Sequence, residues 1–169
     1  MTSPAVSFTH KLRFADIPDA VVARAKLCLV DLAGAAAAGS ETAMSRIIRN
    51  HAVETFGGGA KGVRMMLDGR RVGPAGAAMA GGITIDAFDS HDGHVLTKGH
   101  AGVAILPTLL ALADPAAKVS GREFLTSLVL GYEIAIRASV PSPTRRRERS
   151  TSRKCDSRRR SDGWRCRRG

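Results

Sequence analysis

The sequence predicts an all-α domain that carries one small β-hairpin. Apolar residues recur at three- and four-residue spacing in several segments, as they do on one face of an α-helix. Only the segment 63–72 has the pattern of a strand pair. Aromatic residues make up 4% of the chain, and the abundant Ala and Gly favour helices that pack closely through small side chains.

Two helices are predicted in the first third of the chain. Asp16-Ile-Pro-Asp19 is typical of a helix start, because Pro18 suits the first turn and acidic residues favour a helix N-terminus. The apolar positions that follow keep helical spacing, and Gly39 is expected to end this helix. Ser40 is predicted to cap a second helix over residues 41–56.

The middle of the chain predicts a hairpin and two further helices. Asp68-Gly69 is a two-residue turn signal within the hairpin segment 63–72. Residues 74–85 form an Ala- and Gly-rich helical segment. Residues 102–114 form an aliphatic one, in which Pro107 is tolerable only in the first turn or at a kink.

A last helix is predicted over residues 121–138. Ser120-Gly-Arg-Glu123 has the spacing of a capping box, in which each side chain satisfies the other residue's backbone amide. Phe124 and the apolar residues after it, which include Tyr132, then fall on one helix face. The patterned domain is therefore expected to span residues 1–140.

Residues 141–169 have a different composition. They hold 12 of the 26 Lys and Arg but only three of the 15 acidic residues, so most of the net charge of +11 lies in this tail. The tail has no Leu, Ile, Phe or Met, and we expect it to be disordered. It could be a nucleic-acid-binding arm, a basic targeting signal or out-of-frame translation. The abrupt switch of composition inside a helical pattern favours the third origin.

The remaining composition excludes several classes of protein. No apolar run reaches the roughly 18–20 residues that span a bilayer, and no leader peptide opens the chain, so a cytoplasmic protein without a membrane partner is expected. Cys28 lies on an apolar helix face and is predicted to be a core residue. Cys155 and Cys166 have no His or Cys neighbours, so no zinc site is expected there.

The segment Asp86 to His100 concentrates the polar chemistry of the chain. Its 15 residues hold three of the five histidines, three aspartates and one lysine. The segments on both sides are small-residue-rich or aliphatic. A loop of this kind places proton donors and acceptors at the mouth of an apolar core, as acid–base chemistry on a small molecule requires. A solvated connecting loop is the alternative interpretation.

Several spaced motifs resemble the N-terminal part of the MmgE/PrpD family. They are Leu-Val-Asp-Leu-Ala-Gly at 29–34, Gly-His-Ala-Gly-Val-Ala-Ile-Leu-Pro at 99–107, Val-Ser-Gly-Arg-Glu-Phe at 119–124 and Gly-Tyr-Glu-Ile-Ala-Ile-Arg at 131–137. The resemblance covers about residues 8 to 138. That family includes 2-methylcitrate dehydratase of propionate catabolism, cis-aconitate decarboxylase and iminodisuccinate epimerase.

The resemblance implies a lyase or isomerase that acts on di- or tricarboxylates without a metal or cofactor. It also implies a large helical domain, a smaller α+β domain and a homodimer. His100 matches the family's motif histidine, Asp89 matches its acidic element with Asp86 as neighbour, and His91 falls where many relatives carry Thr. The chain departs from the pattern at Ser90, where the family has a second Asp.

Elementary chemistry supports these roles and leaves alternatives open. Removing a proton next to a carboxylate needs a base that titrates near neutrality, and His is the closest side chain. Lys98 and His94 are predicted to bind the substrate carboxylates, because developing negative charge needs cations. Alternatively, His91 and His94 face solvent and Lys98 is a surface lysine. A metal site of His91, His94, Asp92 and His100 is a further alternative, although its spacing matches no known template.

Members of the family are much longer, and the resemblance ends inside the last predicted helix. It therefore implies a truncated member of this lyase and isomerase family, inactive as the 169-residue chain. The alternative is a small helical protein whose basic arm binds nucleic acid. In the first case nucleic acid is expected to bind only non-specifically, through the tail.

Overall fold

A computed structural model describes residues 4–59, 62–115 and 118–140. These ranges contain six α-helices, one 3₁₀ turn and one two-stranded antiparallel sheet, which confirms the predicted all-α fold with a small hairpin. The predicted tail, with its three possible origins, lies outside the described residues. The elements in order are α1 Pro4–Lys11, the 3₁₀ turn Phe14–Asp16, α2 Asp19–Ser40, α3 Ala43–Thr55, β1 Val63–Arg64, β2 Arg71–Val72, α4 Pro74–Asp86, α5 Ala101–Ala113 and α6 Gly121–Ser139.

The N-terminal ends of α6 and α3 are capped by side chains. At α6 the predicted capping box is present: Ser120 Oγ accepts from the Glu123 amide at 3.2 Å, and Glu123 Oε2 accepts from the Ser120 amide at 2.8 Å. At α3 the predicted cap is wrong, because Ser40 still belongs to the last turn of α2 and donates to the Ala37 carbonyl. Thr42 caps α3 instead and accepts from the Ser45 amide at 3.1 Å.

The hairpin spans the predicted residues 63–72, but its turn is longer than the sequence predicted. Val63 pairs with Val72 and Arg64 with Arg71. The Met65 amide then donates to the Arg70 carbonyl at 2.9 Å, so four residues form the turn instead of Asp68-Gly69 alone. The reason is local, since both Leu67 and Gly69 have positive φ angles of 57° and 83°.

Helices α4 and α5 pack closely because two glycines of α4 lie against Pro107 and Val103 of α5. A Cβ on Gly81 would lie 2.5 Å from the Pro107 Cβ, and one on Gly82 would lie 3.2 Å from the Val103 carbonyl oxygen. Pro107 lies in the middle of α5, where it has no amide to donate to Val103. The glycines leave room for both the ring and the freed carbonyl.

The core lies between α2, α4, α5 and α6. Leu32 and Ile85 are fully buried and pack with Leu106. Ser45 on α3 and Thr84 on α4 are also fully buried, and their hydroxyl oxygens lie 2.7 Å apart in a hydrogen bond. No helix in the described part of the chain has the length and apolarity to cross a membrane.

Candidate active site

The polar loop 87–100 connects the C-terminus of α4 to the N-terminus of α5. Its second half folds back on itself, because the His94 amide donates to the Gly99 carbonyl at 3.0 Å and the Lys98 amide to the His94 carbonyl at 2.9 Å. His100 is the N-cap residue of α5. The loop therefore lies at the end of the α4–α5 pair where α4 ends and α5 begins.

Asp92 lies at the centre of this loop and holds three neighbours. Its Oδ2 accepts from the Tyr132 hydroxyl at 2.9 Å and from the Gly102 amide in the first turn of α5 at 3.3 Å. Its backbone carbonyl lies 2.6 Å from His100 Nδ1. Asp92 thus links the loop to α5 and α6 through both its side chain and its backbone.

His91 and His100 form a pair with carboxylates beside it. The rings meet edge to face, with centroids 4.5 Å apart. The His91 side chain has no exposed area; its Nε2 lies 3.6 Å from Asp86 Oδ1 and its Nδ1 lies 3.8 Å from Asp92 Oδ1. Neither His91 nitrogen has a hydrogen-bond partner among the described residues. The ring therefore lies between two carboxylates without a hydrogen bond to either of them.

The contact with Asp92 determines which nitrogen of His100 carries the proton. A carbonyl oxygen can only accept, so His100 Nδ1 must be the donor in this bond. In the neutral ring, Nε2 then carries the free lone pair. Since His100 is exposed, this nitrogen can reach a substrate as a general base.

Three predicted site residues lie apart from the histidine pair. Asp89 is exposed and makes no hydrogen bond or ion pair within the described ranges, and the ammonium of Lys98 makes none there either. Lys98 adopts a positive φ of 53° at the tip of the loop. His94 is partly buried and lines a cavity that Asp92 also lines. The structure thus brings together His100, His91 and Asp86 of the predicted set.

That cavity has a volume of about 490 Å³ and lies between α2, α6 and the loop. Its charged lining residues include Arg24 and the acidic Asp31, Asp92 and Glu133. Burial, followed by the hydrogen bond and charge of Asp92, raises the pKa of Tyr132 above its ordinary value of 10.0. Burial, followed by the same charge, raises the pKa of the Cys28 thiol. A cavity with this excess of acidic groups is a poor site for a tricarboxylate.

The sequence interpretation missed the roles of Tyr132 and Asp92. It assigned Tyr132 to an apolar helix face and considered Asp92 only as a metal ligand. The available signal was that Tyr132 is the single tyrosine of the chain, since a buried tyrosine hydroxyl needs a polar partner. Within the described ranges, no group of three or more His, Cys, Asp or Glu side chains is arranged to hold a metal ion.

Comparisons with known proteins agree with the resemblance. A family model described as the MmgE/PrpD N-terminal domain matches residues 5–154, so the match continues past the boundary predicted at residue 140. The chain is 31% identical over 143 residues to a cis-aconitate decarboxylase-like protein of Aspergillus oryzae (strain ATCC 42149 / RIB 40). The alignment covers 79% of this chain and 28% of that relative, so the chain spans less than a third of the relative's length. No solved structure gives a significant match.

Proposed function

The chain belongs to the MmgE/PrpD family, and we propose that its loop 86–100 supplies acid–base groups for a lyase or isomerase reaction on a di- or tricarboxylate. The observation that supports this most strongly is the pairing of His91 with His100 between Asp86 and Asp92. Two imidazoles with different exposure and different partners can serve as a base and an acid at one site.

In this proposal, His100 Nε2 exchanges the proton on the carbon next to a substrate carboxylate. Dehydration and epimerisation begin by removing that proton, and decarboxylation ends by adding one. In dehydration, His91 supplies the proton that the departing hydroxide takes up, and in epimerisation it returns a proton to the other face of the carbon. Decarboxylation needs only the one proton that His100 gives. Similarity to a cis-aconitate decarboxylase-like protein favours decarboxylation of a tricarboxylate, and dehydration of a substrate such as 2-methylcitrate is the competing proposal.

We further propose that the 169-residue chain has no turnover on its own. A substrate with two or three carboxylates needs cations around it, because the transition state gains more negative charge. The described residues next to the histidine pair are the acidic Asp86 and Asp92. Lys98 does not contact the pair, and Arg24 lines the cavity between α2, α6 and the loop. Within the described ranges, the histidines therefore lack the positive surroundings that the reaction requires.

Two assays test the two parts of this proposal. The purified chain is incubated at high concentration with di- and tricarboxylates, and decarboxylation, dehydration and epimerisation are followed. Saturable turnover that His100→Ala abolishes would show that the chain is an enzyme by itself.

The second assay uses a chimera in which residues 5–140 replace the matched segment of the Aspergillus oryzae relative. His100→Ala is expected to lower its turnover by about 10²–10⁴-fold, the usual worth of an acid–base group. The matched control is His51→Ala, since His51 lies on α3 and bonds Thr55 within the same helix. Near-parental turnover in His100→Ala, or an equal loss in His51→Ala, would contradict the assignment.

A further inference from the structure

A chain of two hydrogen bonds connects α6 to the base at the start of α5. Tyr132 donates to Asp92 Oδ2 at 2.9 Å, and the Asp92 carbonyl accepts from His100 Nδ1 at 2.6 Å. We propose that Tyr132 is a positioning residue, which acts through Asp92 to hold His100 in the tautomer with the proton on Nδ1. The functional meaning of this tautomer rests on the proposed function, in which His100 Nε2 is the base.

The geometry around Asp92 makes Tyr132 a fixed donor. Its hydroxyl is kept protonated by burial and by the Asp92 carboxylate, which both raise its pKa. The Gly102 amide donates to the same carboxylate oxygen at 3.3 Å. A Cβ on Gly102 would lie 2.8 Å from Asp92 Oδ1 and closer still to the Tyr132 hydroxyl. The absence of a side chain at residue 102 therefore lets α5, α6 and the loop meet at one carboxylate.

This arrangement matters because the neutral imidazole can exist in either of two tautomers. In free histidine the proton is found more often on Nε2, and that form would direct a donor instead of a base toward the substrate. The carbonyl of Asp92 favours the opposite form. If the side chain of Asp92 lost its anchor on α6, the carbonyl would move relative to His100, and the carboxylate would move relative to His91, 3.8 Å away. One anchor thus positions His100 and the carboxylate beside His91.

The test measures the tautomer of His100 directly, by ¹⁵N nuclear magnetic resonance of histidine side chains in the 169-residue chain, without ligand and at a pH where the ring is neutral. In the parent chain the Nδ1–H form is expected to predominate. Tyr132→Phe keeps the ring but removes the donor, and should lower the ratio of Nδ1–H to Nε2–H by about two- to tenfold, the effect of one hydrogen bond on an equilibrium. His51 serves as the internal control.

Variants of Asp92 separate anchoring from packing and also serve if Tyr132→Phe fails to fold. Asp92→Asn retains an oxygen that accepts from Tyr132 and should keep the His100 tautomer. Asp92→Ala should lower the ratio of Nδ1–H to Nε2–H at His100. Adding Tyr132→Phe to Asp92→Ala should not lower this ratio further, because both substitutions remove the same interaction.

The inference is overturned if a folded Tyr132→Phe variant keeps the parental ratio, or if the ratio falls equally in Asp92→Asn and Asp92→Ala. These measurements contain no substrate. A failure here would therefore leave the proposed function standing, while a failure of the chimera assay would leave the tautomer result unchanged.

Discussion

Replacing Gly102 by alanine should destabilise the protein, although alanine is the better helix former. The new Cβ would lie 2.5 Å from Leu32 Cδ1 and 2.8 Å from Asp92 Oδ1, and closer still to the Tyr132 hydroxyl. Leu32 is fully buried, so it has little room to move. Overpacking of this kind costs about 1–3 kcal/mol, and displacing a hydrogen bond to a charged carboxylate costs about 1.5–3 kcal/mol more. The gain from replacing a helical glycine offsets about 0.5–1 kcal/mol.

The net expectation is a loss of about 1.5–5.5 kcal/mol in the free energy of unfolding, measured by urea denaturation. The matched control is Gly34→Ala in α2, where a Cβ would meet nothing within 4 Å. This substitution should stabilise the protein by about 0.5–1 kcal/mol. The two substitutions are therefore expected to change the free energy of unfolding in opposite directions. If Gly102→Ala were neutral or stabilising, the close approach of α5, α6 and Asp92 would be wrong.

Three further substitutions test the core, a helix cap and the buried tyrosine. Thr84→Val leaves the buried Ser45 hydroxyl without its partner and should cost about 1–3 kcal/mol in urea denaturation; an unchanged midpoint would refute this bond. Ser120→Ala removes the capping box with Glu123 and should cost about 1 kcal/mol by the same measurement; a loss below the error would argue against the cap. The pKa of Tyr132 is raised in the folded state from 10.0, so its contribution to stability is complete below pH 10.0 and lost as the pH rises above it. The stability advantage of the parent over Tyr132→Phe should therefore shrink above pH 10.0, and an advantage that grew would contradict the burial of this hydroxyl.

The helices were predictable wherever local signals agreed with the apolar spacing. The Ser120–Glu123 cap fixed the start of α6, and Pro74 lies in the first turn of α4. The boundary between α2 and α3 was harder to predict, because Ser40 and Thr42 are both good cap residues. Which of them caps α3 depends on how far α2 continues. Helix α1 was not predicted, because its eight residues form only about two helical turns.

The location of the candidate site was predictable, but its internal connections were not. Composition alone indicated the loop 86–100. Which aspartate organises it depends on Tyr132, which lies 40 residues from Asp92 in the sequence. No local pattern reports such a contact, so the sequence favoured Asp89, which the structure leaves exposed. Likewise, the charge of Lys98 suggested that it binds the substrate. Its position at the loop tip, however, depends on the backbone hydrogen bonds of His94 with Lys98 and Gly99.

A titration of the histidine resonances with tricarballylate shows whether the His91–His100 pair lies at a carboxylate site. This saturated tricarboxylate resembles the proposed substrates but has no hydroxyl to lose and no double bond. Binding should be weak, because the described neighbours of the pair are the acidic Asp86 and Asp92. The resonances of His91 and His100 should nevertheless shift with a common binding constant, while those of His10 on α1 and His51 on α3 stay in place. Shifts of equal size at all these histidines, or none at His91 and His100 up to the highest salt-matched concentration, would show that the pair does not bind carboxylates.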